Sequence, residues 1–306
     1  MTVLFTFPGQ GSQMPGMLHA LPSHAEVERT LADAQAELGH DPRDLDSADA
    51  LASTVAVQLC LLVAGVAMAR ALIAQGAGPA LVAGMSVGAF PAAVVAGALD
   101  YRDALRLVAL RGQLMERAFP AGYGMTAVIG LDRYQLAPLI EQVHSASTPV
   151  FLANQNAERQ IVLAGEHEAM RRVADLALRH GATRTEPLVV SVPSHCQLLE
   201  PAARDMRSAL SGITLRAPRL SYLSSSAARA VVDPTRIADD LAANMARPVN
   251  WHDTARLAWE RGARLAIEMP SGSVLTGLTQ AAFADGLAVC CDNNRVETLV
   301  SLIARQ

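Results

Sequence analysis

From Gly76 to Leu99 the chain carries no charged side chain, yet Pro79, Gly84, Gly88, Pro91 and Gly97 divide the stretch into short pieces. A bilayer-spanning helix needs about 20 unbroken apolar residues, so the stretch reads as a buried strand, a tight turn and a buried helix. Leu81-Val82-Ala83 is the strand, the glycine-flanked residues that follow are the turn, and an apolar helix starts near Val87. A unit that is apolar on every side has to lie inside a layered domain, with sheet and helices covering it.

The flanking pattern supplies those layers. A short apolar run at 3–7 ends at Pro8-Gly9-Gln10-Gly11, and helical periodicity follows over about 25–38, 53–74 and 101–118. Strands alternating with helices predict an α/β unit with a mostly parallel sheet. The character changes after Pro120-Ala121-Gly122-Tyr123-Gly124. Strand 125–129, helix 132–144 with Asp132 as N-cap, strands 149–153 and 160–164 joined by a polar loop, helix 166–180 and strand 183–190 form the order β-α-β-β-α-β. That order is the ferredoxin-like split βαβ motif. It predicts a small subdomain, 123–190, inserted between 1–122 and 191–306 of a larger one. Beyond Pro193 the larger pattern resumes with helices over 198–210, 237–244, 252–261 and 273–284 and a strand over 265–269.

Composition narrows the chemistry. Of 306 residues, 51% are hydrophobic and 18% charged, with a formal net charge of −4, so a sizeable core is expected and a basic footprint for nucleic acid is not. All 25 basic residues are arginine. A P-loop, Schiff-base chemistry and a lysine general base are therefore excluded, and any bound anion falls to Arg, backbone N–H groups or helix N-termini. Cys60, Cys196, Cys290 and Cys291 show neither C-x-x-C spacing nor a zinc-type pairing with histidine; reduced thiols, a cytoplasmic location and no metal are the expectation. The N-terminus lacks a basic n-region and does not read as a signal peptide.

Gly84-Met85-Ser86-Val87-Gly88 fits G-x-S-x-G between an apolar strand and an apolar helix, the context of a nucleophile elbow. The turn would project Ser86 into a cleft, and the Val87 N–H, at the helix start, could face an oxyanion. The pentapeptide alone fits equally well a strand–helix turn that uses glycine for sterics. A serine hydroxyl needs a base, and among eight histidines His195, in Val192-Pro193-Ser194-His195-Cys196, lies at a strand end just before a helix. Alone it could equally be structural. Cys196 beside it reads as a small packed residue, because neighbours on an extended chain point opposite ways. Arg111 alone reads most simply as an exposed helix residue paired with Glu116 or Asp103, and Asp239-Asp240 as a solvated helix face.

Seven blocks, in order from residue 5 to about 280, resemble the malonyl-CoA:acyl-carrier-protein transacylase family. They are Phe7-Pro8-Gly9-Gln10-Gly11-Ser12-Gln13, Gly84 to Gly88, Arg111-Gly112-Gln113-Leu114-Met115, Asn154-Gln155-Asn156 with 160–165, Val190 to Cys196, Pro248-Val249-Asn250-Trp251 and Val274-Leu275-Thr276-Gly277-Leu278. The resemblance implies an α/β-hydrolase-like larger subdomain with the ferredoxin-like insert. It implies a malonyltransferase working by a ping-pong route, with Ser86 as acyl-bearing nucleophile, His195 as base and acid, and the Gln10 and Val87 N–H groups as oxyanion hole. Arg111 would hold the malonyl carboxylate, Asn154 and Asn156 would touch substrate, and the main chain at Asn244, counted back from Trp251, would orient His195. Malonyl-CoA would be the donor and the phosphopantetheine-like thiol of an acyl carrier protein the acceptor, with no cofactor of the enzyme's own, no nucleic acid and no membrane.

Three departures matter. Met85 stands where the family usually has histidine, Asn244 where it has glutamine, and Glu268-Met269-Pro270-Ser271-Gly272-Ser273 where it has a more glycine-rich turn. The run from Met85 to Phe90, together with the closeness of Phe7-Pro8-Gly9-Gln10-Gly11 to Pro15-Gly16-Met17-Leu18-His19, most resembles the epsilon subunit of malonate decarboxylase, a member of the same family. That likeness implies the other decarboxylase subunits as further partners. A fatty-acid-synthesis transacylase is the first alternative. A serine thioesterase or esterase, with water as acceptor and no need of Arg111, is the second. A non-catalytic partner subunit is the third.

Overall fold

In the computed structural model, which describes residues 2–119, 121–190 and 192–306, the uncharged stretch becomes the strand, turn and helix that its glycines and prolines predict. The elements in order are β1 (Thr2–Phe7), α1 (Ala25–Leu38), α2 (Thr54–Ala74), β2 (Leu81–Gly84), α3 (Ala89–Val95), α4 (Tyr101–Ala118), β3 (Tyr123–Ile129), α5 (Arg133–Glu141), β4 (Val150–Ala157), β5 (Gln160–Glu166), α6 (His167–Arg179) and β6 (Arg184–Pro187). Then come α7 (Glu200–Leu210), β7 (Ser221–Ser224), β8 (Arg229–Val231), α8 (Pro234–Ala243), β9 (Val249–Asn250), α9 (Trp251–Glu260), β10 (Ala263–Glu268), α10 (Val274–Gln280), β11 (Leu287–Cys290) and α11 (Val296–Ala304). Pro120 and Ser191, which fall in the sequence punctuation around the insert, lie outside the described residues.

The larger sheet has the order β11-β10-β1-β2-β7-β8, parallel throughout except for the β7–β8 pair. The smaller sheet has the order β6-β3-β5-β4-β9. Its first four strands are antiparallel and have the ferredoxin-like arrangement, with α5 and α6 packed on one face over Val128, Leu136, Ile161, Leu163, Met170 and Val173. The larger unit is α/β-hydrolase-like, as expected. The two sheets are joined through β9, which pairs parallel with β4 at Asn154 and Gln155.

That pairing corrects one reading. Asn154, Gln155 and Asn156 do not form a loop; they continue β4, which runs on to Ala157 through two register shifts. Polarity argued for a loop, but β5 on one side and β9 on the other satisfy the backbone, and Asn154 and Gln155 end up buried.

The stretch 76–99 forms no membrane-length helix, as its glycines and prolines predict; the one helix among the described residues long and apolar enough to cross a membrane is α2. It is apolar on all sides because it is the central helix of the larger unit, packed by α1, α3 and α4, and 89% of its most apolar window is buried. Its polar exceptions are Thr54 and Gln58, buried in its first two turns, and Arg70, half-buried against Thr30 and Asp33 of α1. All four cysteines are unpaired and buried.

The turn after β2 depends on two glycines, for space and not for a left-handed backbone. A Cβ on Gly84 would sit 2.0 Å from the backbone of Gly88, and one on Gly88 would sit 2.1 Å from the Phe7 carbonyl oxygen. These contacts clamp the turn against the end of β1, where the Met85 N–H donates to the Phe7 carbonyl at 2.9 Å. Gly84→Ala or Gly88→Ala should therefore destabilise the fold by ~3 kcal/mol or more, because the obstructing atoms are backbone and cannot rotate away. Thermal unfolding checks this, and an unchanged melting temperature in both variants would contradict the close approach.

Candidate active site

The clamped turn puts Ser86 in a sparsely populated backbone region. Its φ is 56°, a left-handed value that is costly for a residue with a Cβ and is sustained here by the packing around it. A short 3-10 turn, Ser86–Gly88, follows and leads into α3. Gly9, at the end of β1, comes so close that its Cβ, if present, would lie 3.0 Å from the Met85 carbonyl oxygen. The loop after β1 and the turn after β2 thus lie side by side at the carboxyl ends of neighbouring parallel strands, where open α/β sheets assemble their sites. Among the described residues, neither the Gln10 nor the Val87 backbone N–H donates to a protein acceptor.

His195 arrives from the other side. Its φ of 64° is also left-handed, and its N–H donates to the Met245 carbonyl at 2.7 Å. The ring Nδ1 lies 2.8 Å from the Asn244 carbonyl oxygen and 3.2 Å from that of Arg247. A carbonyl can only accept, so Nδ1 carries the proton and Nε2 presents its lone pair. Nε2 lies 2.9 Å from Ser86 Oγ, which therefore donates to it. The tautomer needed for a base facing the serine follows from main-chain geometry alone. No carboxylate takes part.

Arg111, on α4, completes the group from beneath. It is 1% exposed, and α4 presents it inward together with Leu107, Val108 and Met115, so it is not the exposed residue that the sequence taken alone suggests. Nη2 donates to Ser86 Oγ and to Asn244 Oδ1, each at 3.1 Å, and Nη1 donates to Gln58 Oε1 at 2.8 Å. Nε is buried without a partner. Burial pushes the Arg111 pKa down to about 9, which still leaves a cation at neutral pH. Every partner of this cation is neutral, so its charge remains available to an anion entering the cleft.

The Asn244 side chain has two jobs beyond lending its carbonyl to His195. Oδ1 receives Arg111, and Nδ2 donates to the Ser86 carbonyl at 3.0 Å. Asn244 sits at the end of α8, and α8 is anchored by Asp240. Asp240 is buried, unlike the solvated face read from the sequence, and accepts from Tyr222 Oη at 2.9 Å, from Ser224 Oγ at 2.7 Å and from Ser226 Oγ. Between those serines, Ser225 Oγ donates to the Gly84 carbonyl at 2.8 Å, tying the same loop to the base of the turn that carries Ser86. Gln58 and Asp240 were missed as site residues. Gln58 had a signal, a lone amide in an otherwise apolar helix; Asp240 had none, because exposed and buried acids look alike in a helical pattern.

Above Ser86 opens a cleft of about 450 Å³ between the two sheets. Gln10, Met85, Ser86 and His195 line it on one side, and Asn154 and Asn156 line it from β4, where Asn154 Nδ2 donates to Asn156 Oδ1 and neither bonds to Ser86 or His195 among the described residues. Asn154 Oδ1 is buried without a partner. Met85 faces the cleft and packs with Leu4, Leu81 and Leu275, an apolar wall beside Ser86. The Cys196 thiol donates to the Pro193 carbonyl at 3.3 Å, and burial pushes its pKa up to about 12, which leaves it neutral and away from this chemistry. A larger hollow, about 520 Å³ around Met14, Met17 and Met68, lies beyond the loop that follows β1 and contains none of these residues.

A base, a hydroxyl, free N–H donors and an unpaired buried cation are the parts of a covalent acyl transfer selective for an acyl group with its own negative charge. Comparison with known proteins agrees. Residues 4–306 match the acyl transferase domain family. The chain is 39% identical to the malonyl CoA-acyl carrier protein transacylase of Escherichia coli K12, over 90% of this chain and 91% of that one. It is 38% identical to the Haemophilus influenzae protein of the same name, over 92% and 93%. Among solved structures, the Vibrio cholerae acyl carrier protein S-malonyltransferase superposes with a TM-score of 0.92 at 36% identity, covering 99% of this chain and 100% of that one. A malonyl-transacylase solved with its type II PKS acyl-carrier protein gives 0.93 at 35% identity, with all of both chains covered. The chain belongs to the malonyl-CoA:acyl-carrier-protein transacylase family and is an acyltransferase.

Proposed function

We propose that this acyltransferase moves malonyl from malonyl-CoA to the phosphopantetheine thiol of an acyl carrier protein through a malonyl ester on Ser86. The observation that carries the reading is the sharing of Ser86 Oγ between His195 Nε2 and Arg111 Nη2, with no carboxylate on the arginine. The relatives named above are carrier-protein transacylases, and they favour this acceptor over the carrier subunit of malonate decarboxylase. Met85 and the neighbouring blocks do not outweigh matches that span nine-tenths of the chain.

In the first half-reaction the carboxylate of the malonyl group pairs with Arg111, and the thioester carbonyl turns toward the Gln10 and Val87 N–H groups. The Ser86 proton passes to His195 Nε2 as Oγ bonds to the carbonyl carbon and the π pair moves onto oxygen. Collapse breaks the C–S bond, and Nε2 returns the proton to the departing sulfur. The second half-reaction runs the same steps in reverse order with the carrier thiol. Between the two, the apolar wall around Met85 disfavours water.

Brief mixing with malonyl-CoA should add one malonyl group to the intact chain, lost in Ser86→Ala and discharged by a carrier thiol. Free malonate accumulating without carrier would support a thioesterase instead. Arg111→Ala should lose roughly 2–5 kcal/mol of the preference for malonyl over acetyl thioesters; unchanged relative acylation rates would remove Arg111 from the site.

Burial first, and then the Arg111 charge, push the His195 pKa from its ordinary 6.5 down to about 4, against the Asn244 and Arg247 carbonyls, which raise it. The folded value lies below the unfolded one, so as pH falls through 6.5 toward 4 the unfolded chain gains the proton first and this residue costs stability in that window. The base itself stays neutral throughout it. Labelling of Ser86 by a serine-directed fluorophosphonate should accordingly hold its rate through pH 5 and fall to half near pH 4; a half-point near 6.5 would contradict a buried neutral imidazole.

A further inference from the structure

We propose that the carboxylate of the acyl group switches the strength of the general base: pairing with Arg111 compensates the cation that faces His195 and makes its imidazole a better proton acceptor. The inference rests on the malonyl-transfer reading and concerns how the same site discriminates among acyl groups. A carboxylate clamp that acted by affinity alone would make non-carboxylated thioesters bind poorly. In this arrangement they would also react slowly once bound.

The geometry is a three-member line. Arg111 Nη2 and His195 Nε2 contact the same atom, Ser86 Oγ, at 3.1 and 2.9 Å, so no more than ~6 Å separates them, a range over which charges move each other's titration. Both side chains are buried, Arg111 at 1% and His195 at 2% exposure, so solvent screens the pair weakly. The remaining partners of Arg111 are the neutral amides Gln58 and Asn244, so its charge stays uncompensated. The other groups around the imidazole are neutral: the Ser86 hydroxyl, the Asn244 and Arg247 carbonyls and the Cys196 thiol next in sequence. Across the cleft Glu186 of β6 is already paired with Arg184. The ligand carboxylate is thus the missing countercharge. With it in place, a proton on Nε2 no longer faces an uncompensated guanidinium, and the hydroxyl proton moves to the ring more readily.

The arrangement also changes what Arg111 does to the nucleophile. In the free chain Nη2 donates to Ser86 Oγ and occupies one of its lone pairs. A carboxylate competes for Nη2 and relieves that contact as it strengthens the base. An acetyl group does neither. Discrimination therefore appears in the acylation step at saturation as well as in binding.

The test uses the full chain carrying Ser86→Ala, labelled at the histidine rings, with the His195 resonance followed by NMR across pH in saturating CoA, acetyl-CoA or malonyl-CoA. The titration midpoint is expected to lie higher with malonyl-CoA than with the other two, by about one pH unit. With Arg111→Met added, the midpoint of the ligand-free chain should itself rise and should no longer respond to malonyl-CoA. A dispersed spectrum shows that the double variant is folded, and the single variant decides the matter without it. Malonyl-CoA bound with an unmoved midpoint would overturn the coupling and leave the transferase reading intact. No binding of malonyl-CoA would overturn both.

Discussion

A guanidinium held at 1% exposure, with neutral oxygens as its partners, is the constraint on which the site depends. Moving a cation out of water costs several kcal/mol even after relaxation, and nothing in the immediate shell of Arg111 returns that cost as an ion pair. Packing carries it instead. Arg111 is fixed on α4, α4 lies against α2, and α2 supplies Gln58 from a predominantly apolar, mostly buried helix. The fold thereby keeps an uncompensated positive charge in hydrogen-bond contact with Ser86, an arrangement suited to pairing with a carboxylate.

The second requirement is backbone geometry that side chains could not supply. Ser86 and His195 both have left-handed φ values, and each is held by main-chain contacts: the Gly84–Gly88 clamp and the Met85–Phe7 bond for the serine, and the Met245 and Asn244 carbonyls for the histidine. Strain of this kind persists where the surroundings over-determine it. Here the surroundings include the buried Asp240 cluster, which holds the Ser224–Ser226 loop and through Ser225 the carbonyl of Gly84. Two elements distant in sequence, the loop after β7 and α8, thus act on one turn.

Long periodic elements were legible in the sequence. β1, α1, α2 and α4 lie within a residue or two of where periodicity predicts them, because their amphipathicity or full burial leaves a clear pattern. The strands β7, β8, β9 and β11 were not anticipated, since runs of two to four residues such as Ser221–Ser224 carry too little pattern to stand out. At the site, Ser86 and His195 could be nominated from local motifs. Gathering them with Arg111 and Asn244 took resemblance, because the four come from four separate elements and local sequence does not encode which strand ends meet. Gln58 stood out only as a lone amide and Asp240 not at all, for a related reason: their importance lies in what they touch across 53 and 16 residues of chain respectively, as with Arg111 and Ser224.

The atom that sets the His195 tautomer is a main-chain oxygen. Every amino acid has one, so substitution at position 244 cannot delete it in the way that replacing an aspartate deletes the orienting group of a serine–histidine–aspartate triad. What evolution can vary there is the side chain, which touches Arg111 and the Ser86 carbonyl. Position 244 is therefore a place where the grip on Arg111 can drift while the orientation of His195 stays fixed. A family built this way can explore new acyl groups without first rebuilding its base.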